Sequence, residues 1–214
     1  MVATAHYEAT AAATSVLREG GNAVDAAVTA AFALGVCEAS ASGLGGQTMA
    51  LIYLKDKKKT IALDGSSRAP HRVVPGKLEQ KELLRGHRAA TVPSTPAVLG
   101  YLLDTYGTLP LSRVLEPSIE LAEIGFKITE LNHDLVMREK KHLRAGSASI
   151  FFLKNGKAYP LGAVFRQPVL AATLRRLAGE GIEDFYQGEI ACKIHEDMEA
   201  NGGFIRDDDL AQIP

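Results

Sequence analysis

Residues 19–65 read EGGNAVDAAVTAAFALGVCEASASGLGGQTMALIYLKDKKKTIALDG. The Gly20-Gly21 pair offers the φ > 0 position that closes a helix over residues 8–19, whose alanines carry high helix propensity. Asn22 then caps a second helix over residues 23–36. Asp25 sits at its N3 position near the positive helix end, although it is not the Glu or Gln of a full capping box. Within that helix only Asp25 and Thr29 are polar, so it is buried on nearly every face, pressed against a sheet or another helix. Residues 40–47 break it. Residues 48–55 then read as a strand, 56–58 as its turn and 59–64 as the returning strand. Helix, helix, glycine loop and antiparallel hairpin predict an α+β layering of helices on a sheet, not a βαβ repeat.

The loop Ser42-Gly43-Leu44-Gly45-Gly46 is no nucleotide fingerprint, because a helix precedes it and a strand follows, and it lacks Gly-Lys-Ser/Thr. Gly43, Gly45 and Gly46 allow either close packing or a wall of an active cleft. After the hairpin comes Asp64-Gly65-Ser66-Ser67-Arg68-Ala69-Pro70. An arginine so placed is suited to a bidentate bond to a carboxylate, and equally to a structural salt bridge with Asp64 or a helix end.

Composition excludes several classes. Lys and Arg total 24 against 25 Asp and Glu, a formal charge of −1, so no net field steers the chain towards nucleic acid or an anionic membrane. With 46% hydrophobic and 23% charged residues the chain is of ordinary globular composition, not disordered. No run reaches the roughly 18 apolar residues that span a bilayer. The opening residues lack a basic stretch followed by an apolar one, which points to the cytoplasm, though a mature secreted chain reads the same way. Cys37 and Cys192 are too few and too far apart for a disulfide framework or a zinc site and read as small buried hydrophobes. His6, His71, His87, His133, His142 and His195 show no metal spacing. His71 lies nearest the Arg68 loop, as pocket lining or in a surface or structural role.

Further along, helices are predicted over residues 95–105 and 111–124, the latter starting near Glu116 because Pro117 is tolerated in a first turn. Residues 131–144 form a polar helix with a narrow stripe at Leu131, Leu135 and Val136, and its basic run reads as a solvated face. Residues 150–153 read as a short strand or buried turn, and Asn155-Gly156 as a hairpin signal. Helices follow from Pro168 to residue 178 and over 182–200. Asp207, Asp208 and Asp209 read as a cap and first turn rather than a metal site. The division expected is a core portion, 1–93, and a mostly helical extension, 94–214, that packs on it.

Seven ordered blocks resemble the large subunit of the γ-glutamyltranspeptidase family. They are Glu19-Gly20-Gly21-Asn22-Ala23-Val24-Asp25-Ala26-Ala27, Ser42-Gly43-Leu44-Gly45-Gly46, and Leu63-Asp64 to Ala69-Pro70. Then come Tyr106-Gly107-Thr108-Leu109-Pro110 with Glu116-Pro117, and Ala122-Glu123-Ile124-Gly125-Phe126. Phe185-Tyr186-Gln187-Gly188-Glu189-Ile190-Ala191, and Asn201-Gly202-Gly203 with Asp209-Leu210-Ala211, complete the set. The resemblance implies the N-terminal, large-subunit portion of an N-terminal-nucleophile (Ntn) hydrolase of αββα sandwich architecture, with a mostly helical extension. It implies a precursor that cuts itself, freeing a threonine that attacks the γ-glutamyl amide of substrates such as glutathione. Backbone amides of a small-subunit Gly-Gly pair hold the oxyanion. The large subunit contributes chiefly an arginine for the substrate α-carboxylate.

Two departures qualify what carries over. The family places that arginine two residues after the strand-end aspartate, where this chain has Ser66. The arginine stands at Arg68 instead, a shift of about 6–7 Å along an extended chain. Ser66, Ser67 and Arg68 are thus the candidate substrate-binding residues, and Gly43, Gly45 and Gly46 the loop near the site. This form is similar to the acylase- and amidase-like branches, such as cephalosporin acylases and oxamate amidohydrolase. A non-catalytic homologue is the rival outside the enzymes. Second, the resemblance places the nucleophilic threonine beyond these residues; Thr91, before Val92-Pro93, is no candidate. The 214-residue piece is therefore expected to be inactive alone and to leave a wide apolar surface uncovered. Its expected partners are the small-subunit segment of the same precursor and a small-molecule amide, with neither nucleic acid nor membrane. A dimer of processed heterodimers is one assembly the resemblance allows. Threonine chemistry requires no organic cofactor or metal.

Overall fold

The computed structural model describes residues 1–212. Its helices are α1 (Tyr7–Arg18), α2 (Ala23–Cys37), α3 (Thr95–Tyr106), α4 (Leu111–Ile124), α5 (Glu130–Ala145), α6 (Ser149–Phe152), α7 (Pro168–Glu180), α8 (Asp184–Gln187), α9 (Glu189–Ala200) and α10 (Asp207–Leu210). Strands β1 (Thr48–Leu54) and β2 (Lys59–Gly65) pair antiparallel, as do β3 (Phe126–Lys127) and β4 (Val164–Phe165). Contacts gather the chain into two units: Met1–Gly43 with Gly107–Arg175, and Leu44–Tyr106 with the residues from Arg176 onward. Each unit draws on residues from both sides of position 93.

In the first unit, Gly20 takes φ 95°, the left-handed conformation that ends α1. Gly21 is needed for space, since a Cβ there would lie 2.8 Å from Val16 Cγ1 and 2.9 Å from Leu109 Cδ1. Asn22 Oδ1 accepts from Val24 N and Asp25 N, and Asp25 Oδ2 accepts from Asn22 N at 2.7 Å. The capping box is thus complete with an aspartate. Helix α2 buries Ala26, Val28, Ala30, Phe32, Ala33 and Val36, as its composition predicts, and packs against α1 and α4.

Helix α4 begins at Leu111, so the expected start near Glu116 is corrected and Pro117 lies inside the helix. An interior proline costs about 3 kcal/mol. Burial of Val114, Leu115 and Ala122 on the same helix offsets it, at about 1.5–3 kcal/mol for each large side chain. Residues 150–153 are no strand. Residues 150–152 fall in α6, a single helical turn with Ile150 exposed, and Leu153 follows it extended and buried. Asn155 and Gly156 take φ 51° and 70° between the bridged Lys154 and Lys157, as the hairpin signal predicts. In α5 no residue is buried. Leu131 of the expected stripe is exposed, and Leu135 and Val136 are half-buried.

In the second unit, β1 and β2 run in register from Thr48 opposite Gly65 to Leu54 opposite Lys59. Their alternation leaves Met49, Leu51 and Tyr53 on one face, 62%, 76% and 64% exposed. The other face meets α3, and Ser94 Oγ donates to Gly65 O. Residues 182–200 are not one helix: the chain breaks at Gly188 between α8 and α9. The Asp184 carboxylate reaches over that break to accept from Glu189 N at 3.1 Å and Ile190 N at 3.4 Å. Arg176 grips the same carboxylate through Nε and Nη2, both at 2.7 Å, and pulls it down to about 2.

Cys37 is buried, and burial pushes its thiol up to about 12. Cys192 is exposed, correcting its reading as a buried hydrophobe, because α9 turns Ile190 and Ala191 inward instead. No described helix is long and apolar enough to cross a membrane.

Candidate functional site

The loop after β2 is built by short-range bonds. Asp64 Oδ1 accepts from Ser66 N at 3.0 Å and Ser66 Oγ at 2.6 Å, and these bonds hold its carboxyl below the ordinary range. Ser67 N donates to Gln47 Oε1 at 2.9 Å. Arg68 forms a backbone bridge with buried Val92, whose N–H donates to Arg68 O at 2.9 Å. Three successive residues are thus fixed by three different anchors.

The Arg68 guanidinium donates through Nη2 to the main-chain oxygen of Asp209 at 2.6 Å. Of the two structural alternatives, the carbonyl of a helical turn is realised and the bridge to Asp64 is not. Arg68 Nε is buried with no hydrogen-bond partner. The Asp209 carboxylate, 1% exposed, accepts from His71 N at 2.7 Å and from Arg206 N at 3.0 Å, and lies 3.0 Å from His71 Nδ1. Beside it, the Arg72 guanidinium pairs with Asp208 at 3.0 Å and holds that carboxyl below its ordinary value.

The structure therefore brings Ser66, Ser67 and Arg68 onto one loop and joins His71 to it through Asp209. Of the glycines, Gly46 accepts through its oxygen from Ser94 N at 3.0 Å and Thr95 N at 3.3 Å, holding the start of α3. A Cβ on Gly45 would meet nothing within 4 Å. Gly43 belongs to the first unit, where a Cβ on Gly35 would lie 3.3 Å from its Cα. That close approach is the packing role left open above.

Sequence reading missed Asp209 and Gln47 as anchors. Asp207, Asp208 and Asp209 do form a first turn, but their carboxylates turn to His195, Arg72 and the His71 loop respectively. Among the described residues no group of three His, Cys, Asp or Glu is placed to hold a metal ion. The arrangement offers a fixed guanidinium beside a hairpin end, which is chemistry for binding a carboxylate.

A family model described as Gamma-glutamyltranspeptidase matches residues 9–213. The chain belongs to the γ-glutamyltranspeptidase family. The glutathione hydrolase proenzyme of Escherichia coli strain K12 is 37% identical over 221 residues, covering 99% of this chain and 38% of that protein. The crystal structure of the Helicobacter pylori γ-glutamyltranspeptidase is similar with a TM-score of 0.95 at 35% identity, across 99% of this chain and 63% of that one. A cephalosporin acylase from Bacillus halodurans is similar with a TM-score of 0.88 at 33% identity, across 95% of this chain and 40% of that one. The chain spans less than two thirds of each of these relatives. Its fold is that of the N-terminal, large-subunit portion of the Ntn-hydrolase αββα sandwich with the helical extension, as the seven family blocks imply.

Proposed function

We propose that these residues belong to a threonine-nucleophile amidohydrolase and acyltransferase acting on γ-glutamyl amides such as glutathione. The observation that carries this is Arg68, on a loop pinned at Asp64, Gln47 and Val92, with its guanidinium anchored to Asp209 O. In this reading Arg68 pairs with the α-carboxylate of the glutamyl group, a charge-assisted contact that sets the γ-amide in place. Ser66 and Ser67 line the same loop. The nucleophile is supplied by a small-subunit segment of the same precursor, whose N-terminal threonine attacks the amide carbon with its own α-amine as base. The amine leaves, and water or an acceptor amine resolves the acyl-enzyme. Residues 1–214 alone are then inactive, and the working unit is the processed pair, in the cytoplasm, either singly or as a dimer of such pairs.

One observation favours a second reading. By the family resemblance an arginine is expected at Ser66, and this chain carries it two residues on, at Arg68. That fits an acylase for other carboxylate-bearing amides. The complete protein, assayed with γ-glutamyl-p-nitroanilide, a glutaryl amide and an oxamate-like amide, separates them. The first reading expects the γ-glutamyl substrate to lead in kcat/KM by at least tenfold. Preference for either other amide favours the second. No turnover of any of them favours a non-catalytic homologue.

A further inference from the structure

We propose that Asp209 is the positioning residue for Arg68, setting the edge from which its guanidinium meets a substrate carboxylate. The inference rests on the reading of Arg68 as the carboxylate ligand and names what aims it.

A buried carboxylate is costly unless its oxygens are satisfied. Asp209 is 1% exposed, and its partners are chosen unevenly. One oxygen takes Arg206 N, the neighbour that starts its own helical turn. The other takes the main-chain N–H of His71 at 2.7 Å, with His71 Nδ1 3.0 Å away. His71 lies three residues beyond Arg68, so the carboxylate holds the far end of the arginine loop while Val92 holds Arg68 itself. The main-chain oxygen of the same aspartate then accepts from Arg68 Nη2 at 2.6 Å. One residue thus fixes the loop with its side chain and the guanidinium with its backbone.

A guanidinium presents two forks, Nε with Nη2 and Nη1 with Nη2. Here Nε is buried without a partner and Nη2 donates to Asp209 O, so the first fork is closed to an incoming carboxylate. The proposal assigns the other fork, Nη1 with the second Nη2 hydrogen, to the two carboxylate oxygens. This is how an arginine two residues from the family's place presents a defined edge.

The test uses the complete protein and compares two substrates, a γ-glutamyl anilide and its analogue lacking the α-carboxylate. The ratio of their kcat/KM values reports carboxylate recognition. Asp209→Asn, which places an amide N–H against one of the main-chain donors, is expected to lower that ratio about 10- to 100-fold through KM of the carboxylated substrate. The analogue's kcat should change less than twofold, and Asp209→Glu should recover part of the ratio. An unchanged ratio in a variant that only melts earlier overturns the inference, because that is a structural role alone. If Arg68→Ala leaves the ratio untouched, the reading of Arg68 itself fails, and this inference with it. A crystal structure of the wild-type protein with a bound γ-glutamyl inhibitor needs no variant. The Nη2 bond to Asp209 O must persist while Nη1 meets the carboxylate, and a broken bond there overturns the proposal.

Discussion

The Asp25 carboxylate accepts from Thr108 N at 2.8 Å and from Thr108 Oγ1 at 2.6 Å, joining the first turn of α2 to a turn 83 residues later. Leu109 N and Asn22 N complete the set at 3.2 and 2.7 Å, and Asp25 is 0% exposed. A single residue type serves as helix cap and as the hub between α2 and the turn before α4. Four donors would be stranded by its loss. Asp25→Ala is therefore expected to cost about 3–5 kcal/mol, read as a lower denaturation midpoint of the purified protein.

The same group makes stability depend on acid. Burial pushes the Asp25 carboxyl up, but its bonds from Thr108, Asn22 and Leu109 outweigh that and leave it below 3.8. Below 3.8 the unfolded chain binds the proton more readily than the folded one, so stability falls as pH falls through the folded value. Thermal melts between pH 5 and pH 2 should show a loss in wild type that Thr108→Val weakens by raising the Asp25 carboxyl.

His6 gives a second pH response, with the opposite chemistry. Its Nδ1 accepts from Glu8 N to cap α1, and burial lowers its pKa below 6.5. The cap requires the neutral ring, so its contribution is present above pH 6.5 and lost as pH drops below it. His6→Asn keeps a capping oxygen and cannot protonate there. Between pH 7.5 and 5.5 the variant should lose less in Tm than wild type; equal losses would count against the cap.

The Met49, Leu51 and Tyr53 face is a contiguous apolar stripe on a two-stranded hairpin. Expressed alone, residues 1–214 are expected to self-associate, and Leu51→Lys with Tyr53→Thr to reduce that. A monodisperse species of 22.8 kDa by light scattering from the unaltered chain would contradict this.

Cys192 is exposed whereas the Cys37 thiol is pushed up to about 12 by burial. Mass-mapped alkylation of the folded protein should label Cys192 at least tenfold faster. Equal labelling would indicate that α2 opens readily.

The first two helices and the hairpin were legible because their determinants are local: the Gly20-Gly21 stop, the Asn22 cap, and two strand-forming runs either side of the turn at residues 56–58. The β3–β4 ladder was not, since two residues per strand carry no periodicity. At the Gly188 break a carboxylate reaches forward from Asp184 to the first N–H groups of α9, which spacing alone does not reveal. At the candidate site, Arg68 was legible as a charged residue at a strand end. Its partner was not: Asp209 reads as part of a local cap, and its bond to His71 spans 138 residues.

The central claim is that these residues belong to a self-processing threonine enzyme. Intact mass and N-terminal sequencing of freshly purified complete protein test it most directly. The account predicts two chains, the second beginning with threonine and both required for γ-glutamyl hydrolysis. A single uncleaved chain that nevertheless hydrolyses γ-glutamyl amides would contradict it.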